Sequence, residues 1–151
     1  MIGGKTNRGN AVTDAPAALL SAIVTILAIL VFFYMGIRVG TMRTRHNILA
    51  PATSGHPEFD RAFRIHYNTL ESLMLFLPLL WIATIYFRPW GWLPAAFGLL
   101  FVIGRIAYMQ LYMTDPARRG PGTYIGAFAM LGLLILSIIG IAHAWSAEMA
   151  S

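Results

Sequence analysis

Long runs without a charged residue are the dominant pattern in this chain, and they lie near its two ends. Residues 15–37 and 120–147 carry no charge, which gives uncharged runs of 23 and 28 residues. About 20 mainly apolar residues in a helix are enough to cross the hydrocarbon core of a bilayer. The pattern therefore predicts a first membrane-spanning helix over about 15–41 and a last one over about 123–145.

Two shorter uncharged stretches occupy the middle of the chain. Residues 72–87 and 89–104 form runs of 16, separated by Arg88, with which the segment RPWGWLP (88–94) begins. Proline and glycine with two tryptophans are typical of a turn at a membrane surface. We therefore expect two further helices, over about 59–86 and 93–113, which reach spanning length only by including polar residues.

The composition agrees with a chain that is embedded in lipid. Apolar residues make up 58% of the chain and charged residues only 11%, against about 25% charged residues in soluble domains. There is no cysteine, which excludes a disulfide framework and a cysteine-based zinc site. We expect no metal and no nucleic-acid partner. The predicted fold is all-α, an integral membrane four-helix bundle with a single domain over 15–147 that follows a polar tail over 1–14.

The arginines predict the orientation of the bundle. Seven lie in the connections between helices 1 and 2 and between helices 3 and 4, whereas the other side carries three basic residues, Lys5, Arg8 and Arg88. The positive-inside rule places both arginine-rich connections in the cytoplasm and both termini outside. We expect a multi-pass protein of the bacterial inner membrane, or of the endoplasmic reticulum in a eukaryote.

Helix 2 begins with a stripe of polar residues. Arg61, Arg64, Asn68 and Glu71 follow one another at spacings of 3, 4 and 3, so they share one helix face. One interpretation is a solvated helix start in which Arg64 and Glu71 neutralise one another. Glu71, however, is expected below the headgroups and needs a buried partner. His66 faces the opposite side, either as a packing residue or toward a neighbouring subunit.

Helix 3 carries a second polar face. Arg105, Tyr108 and Tyr112 stand at i, i+3 and i+7, and Arg105 lies well inside the predicted span. A charge at that depth indicates a functional or structural site, and we expect Arg105 to pair with Glu71. Buried tyrosine hydroxyls need hydrogen-bond partners, although Tyr112 could also belong to the interfacial belt of aromatic residues.

These features together predict a binding site on the cytoplasmic side. Arginine forks bind carboxylates, and the amide and carboxylate side chains suit amide and ammonium groups. The expected ligand is therefore small, polar and multiply carboxylated. One four-helix chain is too thin to enclose it, which favours a homo-oligomer with sites between subunits. For Arg118 and Arg119, topology alone is the competing explanation.

Three segments resemble the MAPEG family, the membrane-associated proteins of eicosanoid and glutathione metabolism. They are HPEFDRAFRIHYNTLE (56–71), GRIAYMQLY (104–112) and the arginine pair at 118–119, and the likeness extends over nearly the whole chain. The resemblance implies a homotrimer with one glutathione, as co-substrate, in each subunit interface.

The resemblance also implies roles for individual residues. Arg119, seven residues after Tyr112, would activate the thiol, and Arg105 matches a family arginine buried in the bundle. Ser72 and Thr44 depart from the leukotriene-forming members, which have tyrosine and arginine there, and this disfavours leukotriene-type chemistry. Glutathione contacts are implied at Arg43, Arg64, His66, Asn68, Glu71, Tyr108 and Tyr112.

The expected activity is that of a membrane-bound glutathione transferase or peroxidase, with the hydrophobic electrophile or lipid hydroperoxide arriving from the bilayer. The alternative is a non-catalytic lipid- or glutathione-binding protein of the same fold. A small multidrug transporter is disfavoured, because that class needs a membrane-embedded acid in helix 1 and residues 15–37 contain none.

Overall fold

Four long helices account for most of the molecule, a computed structural model that describes residues 8–150, with side chains from residue 15 onward. The prediction of an all-helical chain with four helices is confirmed. Residues 1–7 of the predicted tail lie outside the described residues, and 8–14 continue the first helix as helical backbone. The helices are α1 (Arg8–Arg45), α2 (Pro57–Tyr86), α3 (Leu93–Thr114) and α4 (Gly120–Met149), and a short 3₁₀ helix, Pro116–Arg119, joins α3 to α4.

All four helices are long and apolar enough to cross a membrane. Their outward faces expose large apolar side chains, among them Phe33 at 67% and Phe128 at 61% exposed. In water such surfaces would be costly, whereas hydrocarbon solvates them well. The exposed apolar faces therefore agree with lipid, or a further protein chain, as the surroundings of the bundle.

The start of α2 follows from its local sequence. His56 is the N-cap residue, and its Nδ1 accepts a hydrogen bond of 3.3 Å from the backbone N–H of Glu58. Pro57 occupies the first turn, where a missing N–H costs nothing. Glu58 and Asp60 add negative charge at the positive end of the helix dipole. These residues position the polar stripe of α2 one turn further along.

The main apolar core lies between the helices in the half of the bundle distant from the arginine-rich loops. The rings of Phe76 and Phe101 stack there with centroids 3.9 Å apart, and Leu80 and Leu133 are fully buried. A smaller cluster, composed of Met35, Ile65, Tyr108 and Tyr112, lies at the end where α1 connects to α2 and α3 to α4, which we call the loop-bearing end. The tyrosines of α3 thus belong to the interior of the bundle at its loop-bearing end.

Two glycines allow α3 and α4 to approach very closely. A Cβ on Gly122 would collide with the backbone of Tyr108, and one on Gly104 would lie 2.8 Å from the backbone nitrogen of Gly126. Close backbone approach through small residues is the usual way in which membrane helices pack. The contact at Gly122 fixes the distance of α4 from the part of α3 that carries Tyr108.

Candidate functional site

Part of the polar stripe of α2 borders an open cavity of about 450 Å³ at the loop-bearing end of the bundle, whereas Arg61 and Glu71 of that stripe are not in its lining. Arg64 is exposed and Asn68 is half-buried, and both line this cavity. The remaining lining comes from the same helix and from the loop that precedes it: Thr53, Ser54, Asp60, Phe63 and Tyr67. The cavity therefore combines one cation, one carboxylate and one amide with two aromatic rings, which suits a small zwitterionic ligand.

The cavity is connected to α3 through one hydrogen bond. The side-chain amide of Asn68 donates to the hydroxyl of Tyr108 at 2.8 Å. Tyr108 is 3% exposed, and its ring centroid lies 5.4 Å from that of Tyr112, which is also buried. The two predicted polar faces thus meet in the structure at Asn68 and Tyr108.

Arg105 is buried in the bundle without a carboxylate. Its guanidinium donates to the hydroxyl of Thr69 at 2.8 Å and to that of Ser72 at 3.3 Å, and it lies 4.3 Å from the ring centroid of Tyr108. The Nε atom has no hydrogen-bond partner. The expected pairing of Arg105 with Glu71 is not found within the described chain, because Arg105 contacts the Thr69 and Ser72 side of α2.

Glu71 points away from the bundle. Its side chain is exposed, and residues 15–150 offer its carboxylate no hydrogen-bond or ion-pair partner. It lies 14 residues after the start of α2, which is about 21 Å along the helix axis. In a membrane-spanning helix a carboxylate is costly unless water or another polar group solvates it.

Arg43 holds the loop after α1. Its guanidinium donates to the carbonyl oxygens of Ile48 and Ala52 at 3.3 and 2.9 Å, and it lies 4.8 Å from the ring centroid of Phe59. Arg43 does not line the cavity beside Arg64. Arg43, which was predicted to bind the ligand, therefore stabilises the loop between α1 and α2 within the single chain.

His66 packs inside its own chain. Its ring stacks on that of Phe32 with centroids 4.4 Å apart, and its Nε2 lies near Gly36 of α1. It therefore faces α1, on the opposite side of α2 from Asn68. This placement agrees with the packing alternative for His66 and does not bring it to the cavity of the same chain.

The two adjacent arginines after α3 have different surroundings. Arg118 lies 3.9 Å from the carboxylate of Asp115, whereas the guanidinium of Arg119 has no partner in the described part of the chain. Both side chains are exposed, and Arg119 does not line the cavity beside Arg64. Of these two arginines, Arg119 is therefore the one whose guanidinium is without a partner among residues 15–150.

The pattern of the sequence did not reveal the role of Arg61. Its Nη1 donates to the carbonyl oxygens of Met113 and Thr114 at 3.1 and 3.4 Å, and its Nε donates to Pro57. Arg61 thus caps the C-terminus of α3 and joins it to the start of α2. The carbonyls at a helix end attract cations, but only the packing shows which arginine reaches them.

Comparison with known proteins places this geometry in a family context. The model of the MAPEG family matches residues 21–139. Over 131 residues the chain is 34% identical to leukotriene C4 synthase of Bos taurus, covering 86% of each chain. It is 30% identical to microsomal glutathione S-transferase 2 of Homo sapiens, covering 87% of this chain and 88% of the relative. An uncharacterized protein of Synechocystis is 34% identical over 120 residues, covering 80% of this chain and 86% of the relative.

Proposed function

The chain belongs to the MAPEG family and is an integral membrane protein, and from this premise we propose that it conjugates glutathione to apolar electrophiles. The observation that carries the proposal is the cavity in which Arg64 lies beside Asn68, itself bonded to Tyr108. Two relatives that cover most of the chain are named as a glutathione S-transferase and as leukotriene C4 synthase. Reduction of lipid hydroperoxides by the same thiolate is the second reaction we include.

The α2 stripe would hold glutathione in its ground state. The Arg64 guanidinium suits a glutathione carboxylate, and the Asn68 amide suits a peptide group. Glu71 suits the ammonium group of the γ-glutamyl residue. Tyr108 holds the Asn68 amide in place through its hydroxyl, while Tyr108 and Tyr112 themselves are buried behind the cavity and not in its lining.

We propose a homotrimer in which the site is completed by a neighbouring subunit. The support is the exposed Glu71 carboxylate, which lies far along a membrane-capable helix, and the open side of the cavity at Tyr67, which is 52% exposed. In this assembly Arg43 and Arg119 of one subunit would contact the ligand of another, whereas His66 stays packed against Phe32 of its own α1. Native mass spectrometry should show trimers, and a monomer that still binds glutathione would contradict the assembly.

Arg119 would stabilise the thiolate. A free thiol has a pKa of about 8.5, so a nearby guanidinium is needed to favour the ionised form at neutral pH. Arginine cannot accept the proton, because it stays protonated, and the proton therefore passes to water. The thiolate sulfur then forms a bond to the electrophilic carbon, and the leaving group departs with its electron pair.

The experiment is a binding assay followed by a turnover assay. Calorimetry on the purified protein in detergent should show glutathione binding, and an activated aryl halide should then be conjugated. A lipid hydroperoxide tests the peroxidase reaction separately. Binding without either reaction would contradict the enzyme and favour a non-catalytic binding protein, whereas an absence of binding would contradict both.

A further inference from the structure

We propose that His46, His56 and Glu58 form a zinc site that fastens the loop between α1 and α2. His46 directly follows α1, His56 is the N-cap residue of α2, and Glu58 lies in the first turn of α2. One ring nitrogen of each histidine and one carboxylate oxygen of Glu58 lie within 4.8 Å of one another. The fold thus gathers three zinc-type ligands from the two ends of one loop.

The individual contacts show how the ligand atoms are arranged. His46 Nε2 lies 3.0 Å from Glu58 Oε2, and the His46 and His56 rings stack with centroids 3.5 Å apart and planes 13° apart. His56 Nδ1 accepts a hydrogen bond from Glu58 N, so a cation that bound this nitrogen would have to displace that N-cap bond. Because each ring directs its lone pair within its own plane, ion binding must open the angle between the stacked rings.

Two histidines and one glutamate match the chemistry of zinc. Zinc takes imidazole nitrogen and carboxylate oxygen in four-coordinate sites, and two histidines with one glutamate leave a fourth position for water. Imidazole ligands also disfavour magnesium and calcium, which prefer oxygen. The His46 side chain is 17% exposed and that of Glu58 is 42% exposed, so water can reach the fourth position.

Arg45 is the charged group that opposes a cation here. Its Nη1 lies 3.7 Å from Glu58 Oε2, but its side chain is 64% exposed and is free to turn toward solvent. Removing this charge should therefore strengthen zinc binding. If the cluster serves only as an ion pair, neither the wild type nor the variant that lacks Arg45 will bind zinc.

The site would hold the loop that borders the cavity. Residues 47–55 connect His46 to His56, and Thr53 and Ser54 of this loop line the cavity next to Arg64. A metal that joins the two ends of a loop lowers its conformational freedom. The zinc proposal does not depend on the proposed transferase activity, because it is tested without glutathione.

The test uses tag-free, metal-stripped protein in detergent, titrated with ZnCl₂ in a calorimeter and with Co²⁺ under visible absorption. We expect one ion per chain, a tetrahedral Co²⁺ spectrum, and protection of residues 47–55 from protease when zinc is present. His46→Gln and Glu58→Gln should each weaken binding by at least about tenfold. The Arg45→Gln variant should bind zinc more tightly than the wild type. The His143→Gln variant, changed at the other end of the bundle, should bind zinc with the affinity of the wild type.

Each result decides the proposal. One-to-one binding that is lost in both ligand variants and kept in His143→Gln supports it. Absence of binding, or equal binding by the wild type and the ligand variants, overturns the site. Zinc binding that leaves protease cleavage in 47–55 unchanged overturns the fastening role.

Discussion

The amide of Asn68 donates a 2.8 Å hydrogen bond to the hydroxyl of Tyr108, and this bond joins the polar faces of α2 and α3. Tyr108 is further constrained by the Arg105 guanidinium over its ring and by Gly122 of α4 against its backbone. Three helices therefore determine where one side chain of the candidate site lies.

Removing the hydroxyl in Tyr108→Phe should leave the half-buried Asn68 amide without its partner. We expect a loss of about 0.5–1.5 kcal/mol in the free energy of unfolding. Glutathione affinity should fall as well, because the freed amide no longer holds one orientation. The two effects of Tyr108→Phe and Asn68→Ala should be non-additive in a double-mutant cycle, and strict additivity would show that the bond is not made in solution.

Arg64→Ala should weaken glutathione binding by about 1.5–3 kcal/mol, because a charged hydrogen bond to a carboxylate is lost. Calorimetry measures this directly. The matched control is Arg38→Ala, which removes an arginine of α1 whose Nη1 contacts Tyr34 at 3.4 Å, outside the cavity. Equal losses in both variants would indicate a general effect of charge rather than a specific contact.

Arg119→Ala should abolish thiolate absorbance of bound glutathione at neutral pH while most of the binding remains. Activity should partly recover in alkaline solution, where the thiol ionises unaided. Arg118→Ala should change neither property, since Arg118 lies beside Asp115. A thiolate signal lost in Arg118→Ala instead would reverse the two roles, and a signal kept in both variants would contradict the arginine mechanism.

Arg105→Met should be tolerated by the fold, despite the loss of a buried charge. The hydroxyls of Thr69 and Ser72 remain satisfied, because they donate to the carbonyl oxygens of Ile65 and Asn68. Replacing a buried charge by a well-packed apolar side chain is often neutral or stabilising. We expect an unchanged or higher melting temperature in detergent. A loss of about 3–5 kcal/mol would instead reveal a buried carboxylate partner, such as Glu71 of a neighbouring subunit.

Gly122→Ala should destabilise the bundle by about 1–3 kcal/mol, because the added methyl group meets the backbone of Tyr108. Thermal unfolding in detergent measures the loss. Gly40→Ala is the matched control, since nothing lies within 4 Å of its added Cβ on α1. That variant should be neutral or slightly more stable, by up to about 1 kcal/mol. Equal behaviour of the two variants would contradict the close packing of α3 on α4.

The sequence alone determined the number of helices and the faces that carry polar residues. Both properties are local: an uncharged run of sufficient length favours a spanning helix, and spacings of three and four place Arg64 and Asn68 on one face. The same periodicity placed His66 on the opposite face, where the structure shows it against Phe32 of α1.

Only the tertiary structure decided which of these groups meet. Arg105 bonds Thr69, 36 residues away, rather than Glu71, and Arg61 reaches the end of α3, 52 residues away. These contacts depend on how far each helix is rotated and how closely it approaches its neighbour, which the helical period of one segment does not determine. The same holds for His46 and Glu58, because their meeting depends on the path of the loop between α1 and α2.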